Sequence, residues 1–422
     1  MSVPESTIRI REKAEASDEE ISAEVTQVLP WRTVHSVVVL GLRTPTMAFA
    51  RRCRDAGMRV NLIEFVFTEE LGKRRLFRRP TDAVEGVPEQ LEWPLVGSED
   101  GFQRICSYLR RVGADVVLSV DEFTQEWLAL RRAELPEGCR LLAPEVDVLV
   151  RLLDKLHQVK RAREVGFSVL PTWELPSLAD IGGIPANEYP VCVRPTQVNS
   201  IQPQLKAAVF DSPSKLVATL SGYEWTSPLA VQPFRYGPNF VLHAVRSADG
   251  EMLSIRLFKA ERKCQGFAST LVEAPLPQTL AAAATRFAEA EKIAGPFHFD
   301  LLQPEGTDEF LYLEVNVRLG GTTAKVLELG MDEPLLTLQA FHTKPPQMPV
   351  ALQSVGRVTT MSLELRRAWK ELVGKADLLA YPRFSGVRGA IRALWEAVAV
   401  RDSLVSIRDW RGSLYFLIRG QR

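Results

Sequence analysis

The sequence predicts an α/β protein of two or three domains, and three observations carry that prediction. Ser36-Val-Val-Val-Leu40 is a continuous apolar run suited to a buried parallel strand. A loop, a helical stretch and a second apolar run follow it, which is the order of a βαβ-like unit. Residues 297–323, FHFDLLQPEGTDEFLYLEVNVRLGGTT, hold two period-two runs around the turn cluster Pro304, Gly306, Thr307 and Asp308, which is the pattern of a β-hairpin. With 422 residues, 46% hydrophobic and 25% charged, the chain has apolar material for more than one core.

Composition narrows the function. Lys+Arg and Asp+Glu are both 52, so the basic excess of a nucleic-acid binder is missing. No apolar run reaches the length of a membrane span. The start, MSVPESTIRIREKAEASDEEIS, is charged and has no apolar signal core. Cys53, Cys106, Cys139, Cys192 and Cys264 are scattered and form no CxxC, which argues against a disulfide framework and a zinc site. A reducing, cytoplasmic compartment fits this usage best.

The elements follow in order. Residues 1–32 read as a flexible polar leader, with helical spacing over Asp18–Val28. After Ser36–Leu40, residues 41–46 form a loop, Met47–Ala56 a helix stopped by Gly57, and Arg59–Phe65 a strand. Only Gly41 stands where a dinucleotide fingerprint needs three glycines, so no nicotinamide site is expected. Helices are expected over Phe102–Val112 and Glu122–Arg132, and strands over Asp115–Val120 and Arg140–Ala143. Val150–Val165 reads as one helix ending at Gly166. Strands are expected at Ser168–Trp173, Tyr189–Pro195, Leu229–Phe234, Asn239–Ser247 and Met252–Lys259. Asp249-Gly250 is a hairpin turn, and Ser212 with Pro213 opens a helix to Ser221. Thr279–Ile293 and Glu333–His342 are helical, and so are Arg366–Val373 and Val387–Val400. Ser413–Arg419 reads as a strand.

The hairpin carries the first chemical signal. Alternation puts Phe310, Tyr312, Glu314 and Asn316 on one face, and Leu311, Leu313 and Val315 on the other, toward the core. Asp300 and His298 share a face of the first strand, so antiparallel pairing can gather Asp300, Glu314 and Asn316. Three oxygen donors on a rigid face suit a hard cation such as Mg²⁺. Arg318 and Gly320-Gly321-Thr322-Thr323 follow at once and can receive a phosphate or an anionic substrate group. From pattern alone, an edge hairpin with a solvated polar face is the alternative.

Several ordered pieces resemble the ATP-grasp superfamily, over roughly residues 30–345. Asp154-Lys155, Arg163-Glu164-Val165-Gly166-Phe167 and Pro171-Thr172 look like its opening segment. Tyr189-Pro-Val-Cys-Val-Arg-Pro195 resembles its P-V-V-V-K-P strand. Val231-Gln-Pro-Phe234 with Gly237 resembles its adenine hinge, and Glu314-Val-Asn-Val-Arg318 is close to E-V-N-P-R. The resemblance implies an ATP-grasp fold with an N-terminal Rossmann-like α/β domain (33–147), an ATP-grasp domain (148–345, small lobe about 168–234) and a C-terminal α+β extension (346–422).

It also implies a reaction: ATP phosphorylates a carboxylate, and an amine displaces phosphate from the acyl phosphate. The implied cofactors are ATP and Mg²⁺, with Mn²⁺ as a substitute. Lys155 and Arg194 would contact phosphates, Gln232, Pro233 and Phe234 the adenine, and Asn239 the ribose. Asp300, Glu314 and Asn316 would hold the metal; Arg256, Arg262 and Arg318 would contact phosphate or the acyl-phosphate intermediate. Residues 266–270 would cap the substrate carboxylate. Two departures stand out: Arg194 replaces a lysine, and Asn239 replaces a glutamate. They keep open a nucleotide-binding protein without turnover, and another phosphoryl-transfer chemistry is the third reading. The implied partners are small carboxylate and amine substrates, with neither nucleic acid nor membrane. The segment after residue 345 is a candidate to close the pocket or to form a homodimer interface.

Overall fold

A computed structural model describes residues 30–66, 79–197, 200–205, 207–374, 379–383 and 386–419. The expected helix over Asp18–Val28, and the leader up to residue 29, lie outside the described residues.

The N-terminal unit is a five-stranded parallel sheet. Its strands are β1 (Ser36–Leu40), β2 (Arg59–Val66), β3 (Glu89–Glu92), β4 (Val116–Ser119) and β5 (Arg140–Leu141), in the order β3-β2-β1-β4-β5. Every residue of β1 is buried, as a strand covered on both faces requires. Helices α1 (Thr44–Asp55), α2 (Glu99–Val112) and α3 (Glu122–Leu130) cover the sheet. Helix α1 starts before the expected Met47. Pro45 sits in its first turn, where a missing N–H is harmless, and the Thr46 hydroxyl donates to the Gly41 carbonyl at 2.6 Å.

The expected single helix over Val150–Val165 is two helices, α4 (Val146–Leu153) and α5 (Lys155–Glu164). Asp154 breaks it. Its backbone is extended, and its carboxylate accepts the N–H groups of Leu156 at 2.8 Å and His157 at 3.4 Å. An aspartate that caps a new helix competes with helix continuation. The break leaves Lys155 at the first position of α5.

The expected strand at Ser168–Trp173 is likewise two, in different sheets. β6 (Ser168–Val169) joins a large sheet; β7 (Trp173–Leu175) starts a small antiparallel sheet completed by β8 (Val191–Pro195), β9 (Ala208–Phe210) and β10 (Leu229–Pro233). Its order is β9-β8-β10-β7, and helix α6 (Pro213–Leu220) packs Leu216 and Leu220 into its own apolar core.

The large sheet has eight strands. β11 (Asn239–Arg246), β12 (Met252–Cys264), β13 (Phe267–Ala274), β14 (Gly295–Leu302) and β15 (Leu311–Asn316) form its antiparallel body, with α7 (Gln278–Ala290) on one face. Six of its strands run in the order β13-β12-β11-β14-β15-β6, with β6 at the edge. β12 continues past the expected Lys259 to Cys264 and turns at Gln265 and Gly266, both with positive φ. Two such residues make the hairpin turn that matches strand twist. Residues 266–270, expected as a carboxylate-capping loop, are therefore that turn and the start of β13.

Helices α8 (Thr323–Glu328) and α9 (Glu333–Ala340) precede the C-terminal segment. There β16 (Val358–Thr359) and β17 (Arg401–Asp402) extend the large sheet beyond β13, around helices α10 (Met361–Leu372) and α11 (Gly386–Ala399). The expected strand at Ser413–Arg419 is instead helix α12 (Trp410–Arg419). A short apolar run does not distinguish strand from helix by periodicity. Here the Asp409 carboxylate accepts the Gly412 N–H at 3.1 Å and starts the helix.

Candidate nucleotide and metal site

The site forms where the small sheet faces β14 and β15. The register sets it out in rows: Asn239 lies opposite Leu302, Val241 opposite Asp300, and His243 opposite His298. Across the next pair, Asp300 lies opposite Glu314 and His298 opposite Asn316. One face of the sheet therefore presents a polar track about 6–7 Å per row.

One residue breaks the expected alternation. The register slips between Asp300 and Leu301, so Leu301 pairs with Tyr312 and Leu313 is extra. Tyr312, expected beside Glu314, is fully buried with Phe167, Phe287 and Phe299. Leu313, expected in the core, lines the site cleft, and its carbonyl accepts from Arg194 at 3.1 Å. A bulge of this kind re-aims side chains next to a site.

The cleft has a volume of about 150 Å³. Leu170, Cys192, Leu302 and Leu313 give it apolar walls, and Gln232, Pro233 and Phe234 form the edge on β10 and just after it. Arg194 and Asn239 line it too, so five of the six residues assigned to nucleotide share one cleft. The sixth, Lys155, reaches the same place from α5. Its ammonium lies 2.7 Å from the Glu314 carboxylate. Arg194 approaches the same oxygen at 3.5 Å and holds Gln232 Oε1 at 3.0 Å. Gln232 is fixed in turn by donating to the Thr172 hydroxyl at 2.9 Å.

Asp300 and Glu314 titrate apart. Burial, then the Glu314 charge, push the Asp300 carboxyl up to about 7. Burial also opposes ionisation of Glu314, but Lys155 and Arg194 outweigh it and hold that carboxyl well below the usual carboxylate range. Asn316 donates to Asp300 at 3.4 Å. Among the described residues no group of three His, Cys, Asp or Glu is placed to hold a metal. Two carboxylates and an amide are instead the sparse oxygen set that Mg²⁺ uses when phosphates complete its shell. Two acids that repel without a cation between them fit such an ion.

The three arginines part company. Arg318 stays at the site: it bonds Glu122 at 3.2 Å, and its charge acts on Asp300 and His298. Arg256 shares the row of His243 but is held by Glu273 at 2.7 Å and by the Leu329 carbonyl at 3.0 Å. Arg262 is buried and is held by Glu364 of α10, Nε to Oε1 at 3.0 Å and Nη2 to Oε2 at 2.8 Å.

Sequence reasoning missed other participants. Lys263 donates to Asn239 Oδ1 at 2.7 Å and to the Gly237 carbonyl at 3.0 Å inside the cleft. It belongs to the basic run after Lys259, and extending the strand would have exposed its role. Thr44, Glu122 and Gln125 come from the carboxyl-end side of the N-terminal sheet and bond Gly321, Arg318 and Val317. That is the edge where open α/β sheets bind ligands. Beyond His298, His243 bonds Glu333 at 2.7 Å and Thr322 at 2.8 Å. Burial, then His243, push His298 well below the ordinary histidine range.

No family model matches the chain, and no curated protein matches it in sequence. Solved structures match its fold. The biotin carboxylase domain dimer of Hydrogenobacter thermophilus 2-oxoglutarate carboxylase, in complex with MgADP and bicarbonate, is 14% identical at TM-score 0.57, over 77% of this chain and 74% of that one. L-amino acid ligase from Bacillus licheniformis is 17% identical at TM-score 0.53, over 76% of each chain. Rhizobium etli pyruvate carboxylase, with acetyl coenzyme A, is 17% identical at TM-score 0.55 over 73% of this chain, which spans 29% of that one. Biotin carboxylase and L-amino acid ligase are ATP-grasp proteins, so the chain has the ATP-grasp fold. Among the described residues no helix is long and apolar enough to cross a membrane.

Proposed function

We propose that this ATP-grasp chain is an ATP-dependent ligase that activates a carboxylate as an acyl phosphate and joins it to an amine, releasing ADP and phosphate. The observation that carries the reading is the junction of Lys155, Glu314 and Arg194. Two cations from different elements converge on one acid, beside a cleft with apolar walls.

In this reading Gln232, Pro233 and Phe234 lie along the adenine, and Asn239, steadied by Lys263, faces the ribose. Lys155 and Arg194 exchange part of their hold on Glu314 for phosphate oxygens. Glu314, Asp300 and Asn316 would hold Mg²⁺, which neutralises phosphate charge when bound. Arg318 faces the transferred phosphate or the acyl phosphate. The substrate carboxylate attacks the γ-phosphorus and ADP leaves. The amine then attacks the acyl carbon and phosphate leaves, with Gly320–Thr323 framing the acceptor. Carboxylate and phosphate are both anionic, so this cationic frame is what lets them meet.

A second reading, nucleotide binding without turnover, draws on Arg194 in place of a lysine and on the engagement of Asn239 by Lys263. Untargeted mass spectrometry of the protein with MgATP and pooled acids and amines separates the two. The ligase reading expects a product of mass acid plus amine minus water, ADP release only when both are present, and neither with Glu314→Ala. The same product from Glu314→Ala would sink the site assignment. Nucleotide bound without turnover across the pool would establish the second reading.

A further inference from the structure

The helix pair α10–α11 is packed inside out. Its buried seam is made of small residues, Ala368, Ala390 and Ala393. Leu363 apart, its large apolar side chains face the other way. On α11, Val387, Ile391, Leu394, Trp395 and Val398 are 64%, 60%, 44%, 70% and 83% exposed. Their spacing of i, i+4, i+7, i+8 and i+11 is one helical stripe, roughly 16 Å long at 1.5 Å per residue. On α10 and just beyond it, Leu365, Trp369, Leu372 and Val373 repeat the pattern at i, i+4, i+7 and i+8, and Trp369 is 65% exposed. A hairpin meant for water would bury its tryptophans and leucines and expose its alanines.

We propose that this outer face pairs with the same face of a second copy of the chain, the two helix pairs forming a four-helix bundle about a twofold axis. This inference stands apart from the ligase reading. The first support is area. Nine large apolar side chains at these exposures present on the order of 1,000 Å², against about 300–600 Å² for the largest patch of a typical monomer and about 800 Å² per partner for a standard interface. The second is self-complementarity. A twofold contact needs one patch that fits itself, and two parallel stripes on a flat pair of helices offer ridges and grooves of one spacing. The third is composition. Trp369 and Trp395, the largest side chains of the two stripes, are of the type that anchors protein interfaces.

Charge decides how the contact must behave. Residues 361–422 hold twelve Lys or Arg against six Asp or Glu, in a chain balanced overall. A twofold contact brings two of these net-basic segments together, and salt screens their repulsion over about 8 Å at physiological ionic strength. Apolar burial is not weakened in the same way. Self-association therefore strengthens with salt. An anionic bilayer or an acidic partner on the same face would bind less tightly as salt rises.

The test uses the full chain. Light scattering after size exclusion at micromolar concentration is expected to give twice 47.2 kDa. Sedimentation equilibrium is expected to show a severalfold tighter dimer at about 0.5 M than at about 0.05 M salt. The double variant Trp369→Glu, Trp395→Glu should run as a monomer with unchanged circular dichroism. Trp369→Phe with Trp395→Phe keeps the apolar face and should stay dimeric. A monomeric wild type overturns the proposal, and so does a dimer that survives the double glutamate variant. A monomer that co-sediments with phosphatidylglycerol vesicles and is released by salt also overturns it, and assigns the face to lipid.

Discussion

Glu314, on the large sheet, and Glu364, on α10 beside it, are both acids facing cations, and they differ in how completely their oxygens are engaged. Glu364 is fully buried. Arg262 grips both its oxygens, and the hydroxyls of Ser269 and Thr270 add further bonds. Glu314 keeps 26% of its side chain exposed, and one oxygen is shared by Lys155 and Arg194 from two separate elements. With both oxygens taken, the Glu364 carboxylate has nothing left to exchange, even though Arg262 Nη1 is without a partner among the described residues. A loosely shared carboxylate can trade its cations for phosphate. Arg256, Arg262 and Arg318 read alike in the sequence as phosphate contacts; what sorts them is the partner each finds.

The sharpest way to break this comparison is Arg262→Ala. It strands a buried carboxylate and should lower stability by about 3–5 kcal/mol, read by urea denaturation. Arg262→Met with Glu364→Leu should recover most of that loss, because neither charge is left unpaired. If Arg262→Ala instead kept full stability and lost ATP turnover, the division between the two glutamates would fail.

The complementary change is Glu314→Gln. Turnover should fall on the order of 10²–10³-fold, as when a preorganised electrostatic group is removed. The thermal midpoint should move by only about 2 °C, since a partly exposed pair contributes little to stability. A collapse in stability would place Glu314 in the class of Glu364.

Lys325 tests the closed side through pH. It is buried, and burial pushes it down to about 8, although Asp402 and Glu364 favour its charge. Below pH 8 it is charged in both states, and folding bears the full cost of burying it. Between about 8 and 10.4 the unfolded chain holds a proton that the folded chain does not, so its contribution to stability rises with pH. Lys325→Met should therefore be more stable than wild type at pH 7, by on the order of 3 kcal/mol, and the gap should close by about pH 10. Denaturation curves at both values check the sign.

The smallest effect is expected at Thr172→Val. It removes the hydroxyl that fixes Gln232 and should weaken nucleotide binding by about 1 kcal/mol, roughly fivefold, with kcat little changed. Titration calorimetry with ADP reads it directly.

Much of the fold was legible because its signals are local. The buried run Ser36–Leu40, the stop at Gly57 and the hairpin around Asp300 and Glu314 are written in neighbouring residues. The cleft residues Arg194, Gln232, Pro233, Phe234 and Asn239 were legible as ordered pieces, and the structure brings them together. Other features depend on contacts that no local window contains. Glu364 lies 102 residues from Arg262. The bulge at Leu313 reverses an alternation that looks regular in sequence, because the slip belongs to the pairing rather than to either strand. Asp154 inside an apolar periodic stretch reads as a helix surface until its carboxylate is seen to cap the next helix. The C-terminal run from Ser413 was too short to declare its period, and Asp409, which also accepts from Thr81, Asp82 and Arg51, fixes it as a helix from outside.

The chain leaves the large sheet after Val169, enters the small sheet at Trp173, and returns from Pro233 to Asn239. Two strands of chain at one edge act like the pins of a door. A body held by two pins has one easy motion, a swing about the line through them, while sliding and twisting are stiff. Arg194 reaches across the gap to Leu313 and Glu314 and works as the latch. A ligand that offers the latch a better acceptor can open it and close it again around itself, so the swing would be coupled to the charge of what enters.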